Sequence, residues 1–209
     1  DDALVVKAHL RPKPGVTYKP PSGDWKPEDL ADYHRLSMRD VEFRGCVVWL
    51  DRAHALEIGM ETRATEIADV RFRDIDVIHD RHLAPIDISA GDGAVIRDVL
   101  YEDIRIEDPH TRLIVNLLSG RCYTSVDPRI GIDYGGIRGV TLRNVHVSAE
   151  GKPIVRIEGQ SIREDAKKPK VEGVVLEGWT VNGREVTGPD DLRVETRGLG
   201  KSPEVRADR

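Results

Sequence analysis

One pattern recurs five times along the chain and constrains its fold more than any other feature. It reads apolar-x-Asp/Gly-Val-x-apolar-x-Asp/Asn/Gly-apolar-x-Val, with Ile106 replacing the last Val in one unit, and it occupies 38–48, 67–77, 96–106, 137–147 and 171–181. Asp40, Asp69, Asp98, Gly139 and Gly173 hold equivalent places, so the first units repeat every 29 residues and the later ones carry insertions. A second, shorter strand follows in each unit. Its first apolar positions, Leu56, Ile86, Val115 and Val155, fall 15 or 16 residues after the first Val of their units. Short strands at a fixed period, with no amphipathic helix between them, specify a solenoid of parallel strands. The predicted fold class is all-β, a right-handed parallel β-helix. A leucine-rich-repeat horseshoe is the alternative, but the Leu-x-x-Leu-x-Leu…Asn signature is missing.

Equivalent residues of successive coils stack at the parallel-strand spacing of about 4.8 Å. The register therefore predicts two interior columns, Leu56-Ile86-Val115-Val155 and Ile58-Ile88-Leu117-Ile157, with Glu57, Asp87, Asn116 and Arg156 outward between them. Residues 1–185 read as one domain. Within it, 9–34 form an inserted loop with five prolines and the aromatics Tyr18, Trp25 and Tyr33, which reads as a sugar platform or as anchors for the loop. Residues 186–209 lose the period and read as a cap and a frayed tail. Asp1 to Lys7 align with Ala53 to Gly59, so position 1 already lies inside a coil, and the register predicts a preceding coil that would cover its exposed edge.

Charge narrows the partners. The chain has 32 basic and 37 acidic residues among 209, spread along its length, for a net charge of −5. No basic stripe announces nucleic acid or a membrane surface. The apolar runs are far short of the roughly 20 residues that cross a bilayer. Cys46 and Cys122 match no metal spacing and read as buried free thiols. No cofactor and no metal are expected.

Asp1-Asp2-Ala3-Leu4-Val5-Val6-Lys7 resembles the Asp-Asp catalytic strand of the pectin-lyase-like β-helix glycosidases, notably the polygalacturonases of glycoside hydrolase family 28. His54-Ala55-Leu56-Glu57-Ile58-Gly59 is similar to their Gly-His-Gly-x-x-Ile-Gly strand, with Ala53 and Ala55 replacing the two glycines. The run from Ile75 to His82 is closer to the Asn-Val-Ile-His-x-Arg run of the family 49 dextranases and isopullulanase. The repeat similarity covers roughly 1–8 and 36–182.

The resemblance implies an inverting glycoside hydrolase, outside the cell or in the periplasm, acting on a polysaccharide or oligosaccharide. It makes Asp1 the general acid and Asp2 a carboxylate that activates water, with a third aspartate one coil upstream. His54 stands beside Asp2 in register and joins them as a catalytic candidate. The Arg-Ile-Lys strand that binds a uronate is Asp87-Ile88-Ser89 here, which points to a neutral glycan, with Asp87 as a negative group facing the cleft. Lys7, Glu57, His79, Arg81 and Asp87 are the candidate substrate contacts, and His9 lies near the same edge. The cluster from His79 to His82 reads equally as a salt-bridged turn, and Glu57, Glu61 and Arg63 as a solvated face. Without the upstream coil, the chain is expected to bind glycan and turn it over poorly. A non-catalytic glycan-binding or adhesion module and a Ca²⁺-dependent polysaccharide lyase are the alternatives.

Overall fold

Two places in each repeat unit adopt the left-handed backbone conformation, and they are the places where the repeat carries Asp, Asn or Gly. Asp40, Asp69, Asp98, Gly139 and Gly173 have φ of 56°, 54°, 56°, 62° and 67°. Gly45, Asp74, Asp103, Asn144 and Gly178 follow five residues later with φ between 51° and 64°. A β-carbon in this conformation crowds the next carbonyl, so glycine and the short polar side chains are the residues that enter it at low cost. The paired register steps over both places. Between them, side chains alternate inward and outward as in any strand.

The structure is a computed structural model and describes residues 1–8, 37–62, 64–91, 93–120, 135–159, 170–197 and 203–207. The expectations for the 9–34 loop, His9, Arg63 and Cys122 fall outside the described residues. The strands are β1 (Leu4–Ala8), β2 (Ser37–Leu50), β3 (Leu56–Thr62), β4 (Glu66–Asp80), β5 (Ile86–Ala90), β6 (Val95–Ile106) and β7 (Leu113–Ser119). They continue with β8 (Gly136–Val147), β9 (Ile154–Gly159), β10 (Val171–Glu177), β11 (Thr180–Val181), β12 (Arg184–Glu185), β13 (Arg193–Arg197) and β14 (Glu204–Arg206). A single 3-10 turn, Pro189–Asp191, is the only helical element among the described residues. No helix there is long and apolar enough to cross a membrane.

The chain passes alternately between two sheets, and each pass lies beside the previous pass in the same sheet. One sheet has the order β1-β3-β5-β7-β9-β13; the other runs β12-β11-β8-β6-β4-β2, with β10 beside β8 and β14 beside β10. Every pairing is parallel except β11 with β12. The protein is therefore all-β and built on parallel sheets.

Both predicted interior columns pair in register, Leu56↔Ile86↔Val115↔Val155 and Ile58↔Ile88↔Leu117↔Ile157, and all eight side chains are fully buried. The facing sheet supplies a third column in which Phe43, Phe72 and Tyr101 stack with ring centroids 5.1 and 4.8 Å apart, close to one strand spacing. Leu142 and Leu176 continue it. On the outside of that sheet Arg73, Glu102, Arg143 and Glu177 alternate in sign along one register position, joined at 2.7, 3.0 and 3.2 Å. Cys46 is free but only partly buried, against the expectation of a buried thiol; among the described residues its strand β2 is paired on one side, with β4. Residues after 185 do more than the expected cap and tail: β13 extends the first sheet and β14 the second, while Val186 and Leu192 join the core.

Candidate active site

The first sheet carries the cluster, and its register assembles it. Ala3 N–H donates to His54 O at 3.1 Å and Leu4 N–H to Ala55 O at 2.9 Å, which brings Asp2 beside His54 as the sequence register predicted. His54 N–H then donates to Asp2 Oδ1 at 3.3 Å. The ring of His54 has Nδ1 at 2.7 Å from Ala84 O. A carbonyl only accepts, so Nδ1 carries the hydrogen and Nε2 faces Asp87 Oδ1 at 3.9 Å.

A bulge places Lys7. After Val6↔Ile58 the next pair is Ala8↔Thr62, so three residues of β3 oppose one of β1. Gly59, at φ +121°, passes so close to Ser89 that a Cβ there would collide with its carbonyl oxygen. The bulge brings Lys7 Nζ to 3.1 Å from Asp2 Oδ2 and 3.3 Å from Glu61 Oε2. The ammonium expected as a free ligand contact is thus spent on an internal ion pair.

Glu57 and Asp87 hold adjacent places on neighbouring strands, and both point outward from the sheet as expected. Neither is open to solvent: Glu57 is 3% exposed and Asp87 1%. This corrects two sequence expectations, Glu57 as part of a solvated face and Asp87 as a bare negative group in the cleft. Asp87 Oδ1 accepts from Asn116 Nδ2 at 2.6 Å, and its Oδ2 from Ser89 Oγ at 2.8 Å. Burial pushes its carboxyl up, against the pull of His54, Asn116 and Ser89. Burial also drives Glu57, helped by its hydrogen bond to Asp2 and the charges of Asp87 and Asp2, so that its pKa rises to about 9. Asp2 moves the other way. Burial would raise it, but hydrogen bonds from Glu57, Lys7 and His54 N–H outweigh burial and hold it below the ordinary carboxylate value.

A groove of about 410 Å³ lies over the outer face of this sheet. His54, Asp87, Ser89 and Asn116 form its polar wall, Met60, Leu83 and Leu118 its apolar one, and Arg156 and Glu158 stand toward the β9 end. Asp2, Lys7 and Glu57 stand behind His54 without lining the groove. Arg156 is held by Glu195 at 3.1 Å. Asp1 is exposed, and among the described residues its Oδ1 accepts from the next residue's N–H, at 3.1 Å.

His79 and Arg81 lie elsewhere, at the end of β4 and on the connection that follows it. His79 is stacked on Trp49 with centroids 4.1 Å apart and is hydrogen-bonded to Asp51 at 2.9 Å; Arg81 pairs with Asp108. These are contacts of a salt-bridged turn, and neither residue lines the groove. Asp80 between them is fully buried and accepts from His82 N–H at 3.3 Å. Among the described residues no three His, Cys, Asp or Glu side chains are arranged to hold a metal ion.

Sequence reasoning missed the polar partners Ser89 and Asn116 as parts of the site, and it missed the buried state of Glu57. A signal was present: the register set Glu57 and Asp87 one strand spacing apart, and two acids that close do not both stay ionised away from water. Comparison with models of known protein families, with curated proteins and with solved structures finds no match.

Proposed function

We propose that the two sheets are faces of a right-handed parallel β-helix, and that the groove over the first sheet binds a neutral glycan and hydrolyses its glycosidic bonds with inversion. One observation carries this reading: two carboxyls flank His54 at the head of the groove, Asp2 at 3.3 Å from its N–H and Asp87 at 3.9 Å from its Nε2, and their surroundings displace them in opposite directions, Asp2 down and Asp87 up. An inverting pair is set apart by roughly 6.5–9.5 Å, leaving room for a water between base and sugar; here the His54 residue stands between the two carboxyls. Oppositely displaced carboxyls are how one site supplies both an acid and a base.

In this reading Asp87 protonates the leaving glycosidic oxygen, and Asp2, which adjoins the groove at His54 without lining it and keeps 9% of its side chain exposed, takes the proton of the attacking water at the groove's end. The assignment moves the acid from Asp1, which the resemblance favours, to Asp87, because Asp87 lines the groove whereas Asp1 is exposed and no other described residue is bonded to its carboxyl beyond the next N–H. Neutral substrate is favoured because burial works against a charge on Asp87 and Arg156 is already paired. A non-catalytic glycan-binding groove is the second reading, favoured by the low exposure of the two carboxyls, 9% for the Asp2 side chain and 1% for Asp87.

The deciding experiment incubates the chain and its D2N and D87N variants with neutral glucans, galactans and polygalacturonate. Reducing ends and glycan affinity are measured together, and product anomers are followed by NMR. Inverted product from neutral glycans, lost in both variants with affinity kept, supports hydrolysis. Affinity without reducing ends in any variant supports the binding module. Equal reducing-end release in all three proteins overturns the Asp2–Asp87 assignment, and tighter binding of polygalacturonate overturns the neutral substrate.

A further inference from the structure

We propose that Glu57 is the positioning residue of this site: it holds a proton, donates it in a hydrogen bond to Asp2, and thereby keeps that carboxylate ionised and fixed in direction. The use of this device in hydrolysis rests on the glycosidase reading, whereas the placement of the proton does not.

The geometry decides where the proton sits. Glu57 lies in register between Val5 and Asp87 and is 3% exposed, so water does not separate it from its neighbours. It is hydrogen-bonded to Asp2, and its Oε2 is buried with no hydrogen-bond partner. The described groups around the pair are Lys7 from β1, His54 from the segment before β3, Glu61 from the far end of β3, Asp87 from β5, and the buried hydroxyl of Tyr101 from β6. Lys7 Nζ contacts Asp2 and Glu61, and His54 N–H also goes to Asp2. Asp2 is in direct contact with a cation and an amide hydrogen, whereas among the described residues Lys7 acts on Glu57 only through its charge at longer range.

Two carboxyls in hydrogen-bond contact share at least one proton, and it resides on the member with fewer positive partners. That member is Glu57. Its hydroxyl then supplies the third donor to Asp2, after Lys7 and His54 N–H, and a carboxylate with three donors is held in both charge and rotamer.

The test is a carboxyl ¹³C NMR titration of the wild type, E57Q and E57L, with near-UV circular dichroism to check folding. In the wild type, Glu57 is expected to titrate only on the alkaline side of neutrality and Asp2 below its ordinary value. E57Q keeps an N–H donor toward Asp2 and leaves the Asp2 midpoint in place, while E57L removes the donor and raises that midpoint by about one unit. If E57L does not fold, the wild-type titration and E57Q still decide. Glu57 titrating with ordinary carboxyls, or an Asp2 midpoint unmoved in folded E57L, overturns the proposal. In an active protein the acid limb of kcat/KM follows the Asp2 midpoint, shifting upward in E57L and not in E57Q. Titrations as expected without any glycan hydrolysis overturn the glycosidase reading alone.

Discussion

At the scale of single residues, the carboxyls of the first sheet have opposite effects on stability as pH changes. Glu57 has an ordinary pKa of 4.5 and a folded value near 9, so between these the folded chain keeps a proton that the unfolded chain releases. Its contribution is complete below pH 4.5 and declines as pH rises toward 9, with a slope of about 1.4 kcal/mol per pH unit for one proton. Asp80 and Asp87, also raised, act in the same sense. Asp2 is lowered, so its contribution is present above its ordinary 3.8 and disappears as pH falls through the folded value. Between pH 5 and 9, the melting temperature of E57Q should therefore fall less steeply than that of the wild type. Parallel curves would show that Glu57 binds no extra proton in the fold.

At the scale of elements, the corners and the columns carry different kinds of information. Asp69 has φ 54°, a conformation that a β-branched residue enters at a cost of roughly 1–2 kcal/mol. Asp69→Val should lower stability by about that much in urea unfolding, while Asp69→Gly should stay within a few tenths of a kcal/mol of wild type apart from its greater unfolded-state entropy. Equal losses for both would mean that the side chain, not the backbone conformation, matters there. Ile88 belongs to a fully buried column between Ile58 and Leu117. Ile88→Asp places a charge where no partner exists and should cost more than about 3 kcal/mol, seen as loss of the cooperative thermal transition. A wild-type melting curve would remove the register described for this sheet.

For the whole molecule, the arrangement is a stack in which each unit covers the edge of the one before. Strands β13 and β14 cover the edges that β9 and β10 would otherwise leave open. Truncation after residue 185 would uncover both edges and remove Val186 and Leu192 from the core. The shortened chain should aggregate or lose its cooperative transition, as light scattering and circular dichroism would show. A monomeric truncated protein with unchanged melting would mean that the sheets need no cover beyond β12. The groove depends on the same stacking, since its walls come from consecutive strands and no single unit contains His54, Asp87 and Asn116 together.

The repeat determined the parallel sheets before any coordinates. Its Asp, Asn and Gly places mark where the backbone must turn left-handed, and its alternating apolar places mark the core, because both are local properties of a stacked strand. Register alone also set Asp2 beside His54 and Glu57 beside Asp87. Tertiary structure decided what became of those neighbours. Whether an outward carboxyl is solvated depends on side chains from adjacent strands, so the bulge that turns Lys7 back onto Asp2, the burial of Glu57 and the Ser89 and Asn116 bonds to Asp87 were not readable from one strand's pattern. The same holds for His79 and Arg81, whose candidacy came from their residue types and whose partners, Trp49, Asp51 and Asp108, come from neighbouring passes of the chain. Protonation followed the same rule: composition gives a carboxyl its ordinary pKa, and only the cation, the amide and the water excluded around it decide whether it works as an acid or a base.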